Sequence, residues 1–176
     1  MNNTVEYKLI DKFYGDRKAR RSQVPLINHI NEGLIVLDTI GAIDSAKRAF
    51  CLHPLFQADA DLKENYYMAS FVEPHALLLA MEYRSVANDF LSDKIPAHRW
   101  DDIRLSPLKE VNDMLIADKV QNFKDFLTYH HGTHERSEEL FLYFDKWLTA
   151  LNIPHQQYLS LCERIDTERS KMSISV

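Results

Sequence analysis

The sequence predicts an all-α fold, a single domain of about seven to nine packed helices. Three observations carry that expectation. Only four glycines occur in 176 residues, Gly15, Gly33, Gly41 and Gly132. Apolar residues recur at the three- and four-residue spacing of a helix face, and no segment holds the strict alternation of a half-buried strand. The apolar segments are punctuated by proline, glycine or capping residues, and neither internal repeats nor a linker divide the chain.

A first helix is expected over Thr4–Tyr14, with Val5, Leu9 and Phe13 on one side. A basic stretch follows, Arg17, Lys18, Arg20 and Arg21. Pro25 suits the first turn of helix two, where its missing N–H needs no partner. Ile30, Leu34 and Leu37 form that helix's stripe, and Gly41 suits its C-terminal cap. Asp44 is the expected N-cap of a third helix carrying Ala46, Ala49, Phe50 and His53 inward. Pro54 should end or kink it. The acidic Asp59–Asp61 segment opens another helix towards Tyr67–Val72. Pro74 then starts a long one, with Leu78, Met81, Ser85 and Phe90 in register and Leu77–Leu79 in the core. Ile95–Leu105 reads as a loop, either a lid or a partner contact. Ser106-Pro107 is a helix start, and Val111, Leu115, Asp118 and Asn122 share one face of that helix. Gly132 interrupts it. Two last helices run over Glu135–Leu151 and Pro154–Thr167. Phe141, Phe144, Trp147 and Leu148 read as core, and the tail after Arg169 is expected to fray. The domain therefore covers 1–176, with its core over about 4–168.

Apolar residues make up 45% and charged residues 27%, with a formal charge of −5. That balance argues against a partner with a nucleic-acid backbone, which calls for a basic surface. It leaves room for a local basic pocket. Met1–Asp11 lacks the basic-then-apolar pattern of a signal peptide. No window approaches the roughly 18 apolar residues of a membrane span, so the expected location is the cytoplasm, with no membrane partner. Cys51 and Cys162 lie among apolar residues and read as buried free thiols.

Three fragments carry the chemistry. The first is Arg20-Arg21-Ser22-Gln23-Val24-Pro25-Leu26-Ile27-Asn28-His29. The second is Ala49-Phe50-Cys51-Leu52-His53-Pro54. The third is Leu115-Ile116-Ala117-Asp118-Lys119-Val120-Gln121-Asn122. Together, in this order, they resemble the signature of the HD phosphohydrolase superfamily, and more narrowly the small alarmone (guanosine tetraphosphate) hydrolases. Tyr143-Phe144-Asp145-Lys146-Trp147 is similar to a segment on the last long helix of that family. The resemblance spans about Arg17–Leu151 and implies an HD-like helical bundle. It also implies a divalent metal, manganese above all, that lowers the pKa of a bound water and offsets phosphate charge. His29, His53 and Asp118 match three of the family's four ligand positions. The fourth is Pro54, which has no ligand atom. The family's water-handling acids are matched by Gln57 and Ala58. The expected cofactor is therefore none, or a weakly held divalent metal, with Asp59 or Asp61 as a substitute ligand.

The same resemblance places phosphate-binding cations at Arg20 and Arg21 and a nucleotide contact at Asn122, one turn beyond Asp118. Tyr143 and Arg136 are candidates for stacking and charge. His130, His131 and His134 invite a metal site, but Gly132 lies among them and a polar helix junction is the plainer reading. Three functions follow. The leading one is a protein that has lost hydrolysis and captures a phosphorylated signalling nucleotide, an alarmone or another linear or cyclic messenger. The second is an active metal-dependent nucleotide phosphohydrolase with a rearranged metal site. The third is a purely structural or protein-interaction domain in which the trio is a buried relic; under any of the three, a homo-oligomer is left open.

Overall fold

A computed structural model describes residues 1–94 and 96–174. They form eight α-helices and two 3-10 helices, with no strand among them and one isolated bridge, Lys18 to Pro25. The order is α1 (Val5–Tyr14), α2 (Ile27–Thr39), α3 (Asp44–Phe56), α4 (Asp59–Asn65), a 3-10 helix (Tyr66–Ser70) and α5 (Pro74–Asp89). A second 3-10 helix (Ala97–Asp102), α6 (Lys109–Tyr129), α7 (Ser137–Ala150) and α8 (His155–Ile174) complete it. The all-α expectation holds, and no described helix is long and apolar enough to cross a membrane.

Helices α3 and α5 make the most extensive helix pair, followed by α2 with α6. Around them, α1 packs on α3, α8 lies across α2 and α6, and α7 rests on α6 and the second 3-10 helix. The buried face of α5 is Ala76, Leu79, Ala80, Tyr83 and Ala87, three small alanines alternating with the large, fully buried Leu79 and Tyr83. This corrects the expected register in part: Leu79 and Phe90 are buried, but Leu78 and Met81 are exposed and Leu77 is half-buried, because the inward face runs through Ala76, Leu79, Ala80, Tyr83 and Ala87. Helix α1 is likewise rotated. Glu6 and Ile10 are buried, while Val5 is exposed. The Glu6 carboxylate accepts the Glu73 N–H at 2.9 Å and meets Arg48 at 3.4 Å, which satisfies its charge inside the fold.

Several helix ends follow the residues expected to set them. Thr4 caps α1 by accepting the Tyr7 N–H. Gly41, at φ 72°, closes α2: its N–H reaches the Asp38 carbonyl and that of Ala42 the Leu37 carbonyl, the paired bonds of a Schellman motif. Pro74 opens α5 behind Glu73, whose carboxylate accepts the His75 and Ala76 N–H groups.

Other ends differ. Helices α2 and α6 each start two residues after the proline expected to open them. Pro25 is taken by its bridge to Lys18. Ser106 caps a turn instead, its Oγ accepting the Leu108 N–H and donating to Glu82. Asp44 lies inside α3 and pairs with Arg48. Pro54 does not end α3, which continues to Phe56. The expected 95–105 loop contains the second 3-10 helix, with Trp100 buried against the Tyr143 ring at 5.4 Å; Ile95 lies outside the described residues. Helix α8 runs on to Ile174 rather than fraying after Arg169, and residues 175 and 176 lie outside the described set. Cys51 is a buried free thiol, its pKa pushed up to about 12 by burial; Cys162 is free and half-buried.

Candidate metal centre and cleft

Three helices bring one side chain each to a common point: α2 supplies His29, α3 supplies His53 and α6 supplies Asp118. His29 Nε2 lies 3.2 Å from His53 Nε2 and 3.5 Å from Asp118 Oδ1, and His53 Nε2 lies 3.9 Å from the same oxygen. Among the described residues this is the group of three whose ligand atoms converge, all within 4.8 Å of one another. Asp59 and Asp61 do not join it. Asp59 pairs with Arg84 of α5, and Asp61 lines a neighbouring cleft on the far side of Pro54 and Gln57.

The surrounding hydrogen bonds determine which nitrogen of each imidazole carries its proton. His53 Nδ1 lies 2.6 Å from the Phe50 carbonyl, which can only accept, so Nδ1 bears the hydrogen. For His29 the deciding neighbour is Gln121. Gln121 Nε2 faces the carboxylates of Asp125 (2.8 Å) and Glu32 (3.4 Å), so its amide nitrogen points towards them. Its Oε1 then faces His29 Nδ1 at 2.6 Å and accepts from it. Both imidazoles therefore present bare Nε2 lone pairs to the same point, beside a carboxylate oxygen. Three acceptors so arranged repel one another unless a cation or a shared proton lies among them. The donor set, two imidazoles and one carboxylate, fits a first-row divalent metal.

Electrostatics keep the set in its ligating state. Burial, reinforced by His29, lowers the His53 pKa to about 3, so its ring stays neutral. Burial opposes ionisation of Asp118, but the Lys119 ammonium beside it outweighs that and holds the carboxyl well below the usual carboxylate range. Lys119 Nζ lies 2.7 Å from Asp118 Oδ2, is almost fully buried and sits 4.9 Å from the centre of the Trp147 ring. Asn122 donates to Asp118 Oδ1 at 2.8 Å. The Phe50 ring packs on both imidazoles, with centroids 4.7 Å from His53 and 5.6 Å from His29. It reaches them because Gly33 leaves room: a Cβ there would meet the Phe50 ring at 2.2 Å.

The trio forms the floor of a cleft of about 540 Å³, within the range of small-molecule sites. Arg21 and Ser22 come to its wall from a short loop. That loop is held by the Lys18–Pro25 bridge and by Gln23 in the left-handed region at φ 59°. Arg20 is exposed and does not line the cleft. Asn122 lines it.

Arg136 and Tyr143 are not brought to the cleft. The Arg136 guanidinium donates to Glu139 and to the Ser92 carbonyl. Tyr143 is buried beside Trp100 and Lys119, behind the site rather than in it. The structure adds wall residues the sequence did not single out for the site: Tyr14, Gln121, Asp125, His130 and His134. His134 Nδ1 accepts the Arg136 N–H at 3.0 Å, so its other nitrogen is the donor in the neutral ring. The i+3 spacing from Asp118 to Gln121 carried a signal for Gln121; nothing in the sequence distinguished Asp125 from an ordinary surface acid.

No family model, no curated protein and no solved structure matches this chain.

Proposed function

We propose that this protein holds a divalent metal, manganese first among candidates, at His29, His53 and Asp118. We propose further that it uses the cleft above them to capture a phosphorylated nucleotide without rapid hydrolysis. The observation that carries this reading is the pair of imidazoles whose Nδ1–H groups are both engaged, leaving two bare Nε2 atoms beside the Asp118 oxygen. Three protein ligands leave coordination positions for phosphate oxygens, and the metal would offset phosphate charge there. Arg21 adds a guanidinium on the same wall, suited to a phosphate by its fork of donors. Asn122 lies on the wall with its amide already turned to Asp118.

Loss of turnover is inferred from the helix α3 end of the cleft. Gln57 lines the wall where the resembled family carries an acid, Ala58 has no polar side chain, and Asp59 is committed to Arg84. Among the described residues no carboxylate beyond Asp118 joins the converging trio, which supports capture over rapid hydrolysis. The resemblance to HD phosphohydrolases supports a nucleotide as the ligand class.

One observation favours a second reading, a slow phosphohydrolase. Asp125 lines the same cleft as a second carboxylate, and burial, with Glu32 nearby, raises its pKa above the ordinary Asp value.

The test is thermal shift against a nucleotide panel, with and without manganese, followed by chromatography of the released ligand. Metal-enhanced stabilisation with intact ligand is expected. Conversion to product, abolished by Asp125→Asn, would replace capture by hydrolysis. No shift with any nucleotide would remove the nucleotide reading.

A further inference from the structure

Pro54 occupies the position where the resembled family has a metal ligand, yet its effect on the site is not simply a loss. In an α-helix the Phe50 carbonyl would accept the N–H of residue 54, four positions on. Proline has no N–H, and its ring crowds that carbonyl. Helix α3 continues past it to Phe56. The Phe50 oxygen takes a different donor, His53 Nδ1–H, at 2.6 Å, in a setting that is almost fully buried.

We propose that Pro54 is a positioning residue: by withholding a backbone N–H from the Phe50 carbonyl, it reserves that carbonyl for His53 Nδ1–H and so fixes the tautomer whose bare Nε2 faces His29 and Asp118. A residue with an N–H at this position shares the same oxygen, which weakens the His53 Nδ1–H bond and admits a fraction of the Nε2–H form, which cannot ligate through that nitrogen. Pro54 thereby does for His53 what Gln121 does for His29. Pro54 also lines the cleft directly beside the ring it orients. The inference deepens the metal-holding reading and rests on it for its purpose, but its test requires no metal.

The experiment compares wild type with Pro54→Ala by nitrogen NMR of the histidine side chains, in chelator-treated protein near neutral pH. A titration of Mn²⁺ into each follows. In wild type, His53 Nδ1 should read as a protonated nitrogen and Nε2 as an unprotonated one. In Pro54→Ala the two signals should move towards each other as tautomers mix. Mn²⁺ affinity should fall about tenfold, the lower end of the range seen when a ligand-orienting partner is lost. Should the alanine variant fail to fold, Pro54→Gly supplies the same N–H and is read in the same way. Unchanged His53 nitrogen signals in a folded variant overturn the proposal, whatever happens to Mn²⁺ affinity. Shifted signals sustain it even if Mn²⁺ binds neither protein, and then the metal reading falls instead.

Discussion

The floor of the cleft and its rim beside α4 are built to different standards. On the floor, His53, Asp118, Lys119 and Gln121 are buried, and apart from the bare Nε2 of His53 their polar groups are hydrogen-bonded or ion-paired. On the rim, Ala58 and Asp59 are exposed and Gln57 is half-buried. The side chain of Asp59 is turned away to Arg84. A floor of that kind is costly to assemble, because every buried charge must be compensated, while the rim imposes almost no such demand. The difference teaches that the converging imidazoles and carboxylate are held by the packed interior, while the neighbouring acids at the surface are under no such constraint.

The comparison breaks most visibly at Asp118. Asp118→Ala leaves Lys119 buried without its counter-ion, and removal of one partner from a buried pair costs about 3–5 kcal/mol. Chemical denaturation should report that loss, together with abolished metal binding. A wild-type unfolding midpoint would show that Lys119 has another charge partner.

Acid should act on the floor in a defined window. His53 has its ordinary pKa of 6.5 when unfolded and about 3 when folded, lowered by burial and then by His29. Between those values the unfolded chain binds a proton that the folded one does not, so stability falls as pH drops from 6.5 towards 3. Full passage through the window costs about 3–5 kcal/mol. Asp118, held low in the folded state, adds a further loss below the ordinary carboxylate range. Melting curves in chelator should show this limb, and His53→Gln should flatten it. An unchanged limb in His53→Gln would assign the acid sensitivity elsewhere.

Gly33→Ala drives a Cβ into the Phe50 ring that backs both imidazoles. Overpacking of this kind costs about 1–3 kcal/mol, read by thermal melting, and should weaken metal binding as the rings shift. Gln121→Ala frees the His29 tautomer and should lower metal affinity about 10–100-fold, measured by competition with a metal indicator. At the small end lies the rim. Asp59→Ala should change stability by less than about 0.5 kcal/mol and leave metal affinity untouched. A marked loss of affinity there would mean that Asp59 leaves Arg84 to join the site.

Much of the architecture was legible because turns and caps carry their own chemistry. Gly41 and Pro74 set the helix ends they were expected to set. Prolines misled where a side chain or a bridge changed their role. Pro25 is claimed by Lys18, and the interior Pro54 is tolerated because His53 supplies the donor its backbone lacks. The register of α5 was hidden because three adjacent leucines, Leu77, Leu78 and Leu79, offer several apolar stripes and only Leu79 of them, with Tyr83 and three alanines, faces inward.

At the site, the resemblance to the HD signature implied that His29, His53 and Asp118 belong together, and the structure brings their ligand atoms together in space. The peripheral residues were less legible. Arg136 and Tyr143 are absorbed by Glu139 and by the Trp100 packing, contacts that depend on how α7 docks and leave no local mark in the sequence. Gln121 and Asp125 enter for the same reason in reverse: their importance lies in what faces them across α2 and α6.

The most direct measurement is a calorimetric titration of Mn²⁺ into chelator-stripped protein, repeated with His29→Gln and His53→Gln. The account predicts one site per chain in wild type and a large loss of affinity in each variant. Absence of binding in wild type, or equal binding in the variants, would contradict the claim that these two imidazoles and Asp118 form a metal centre.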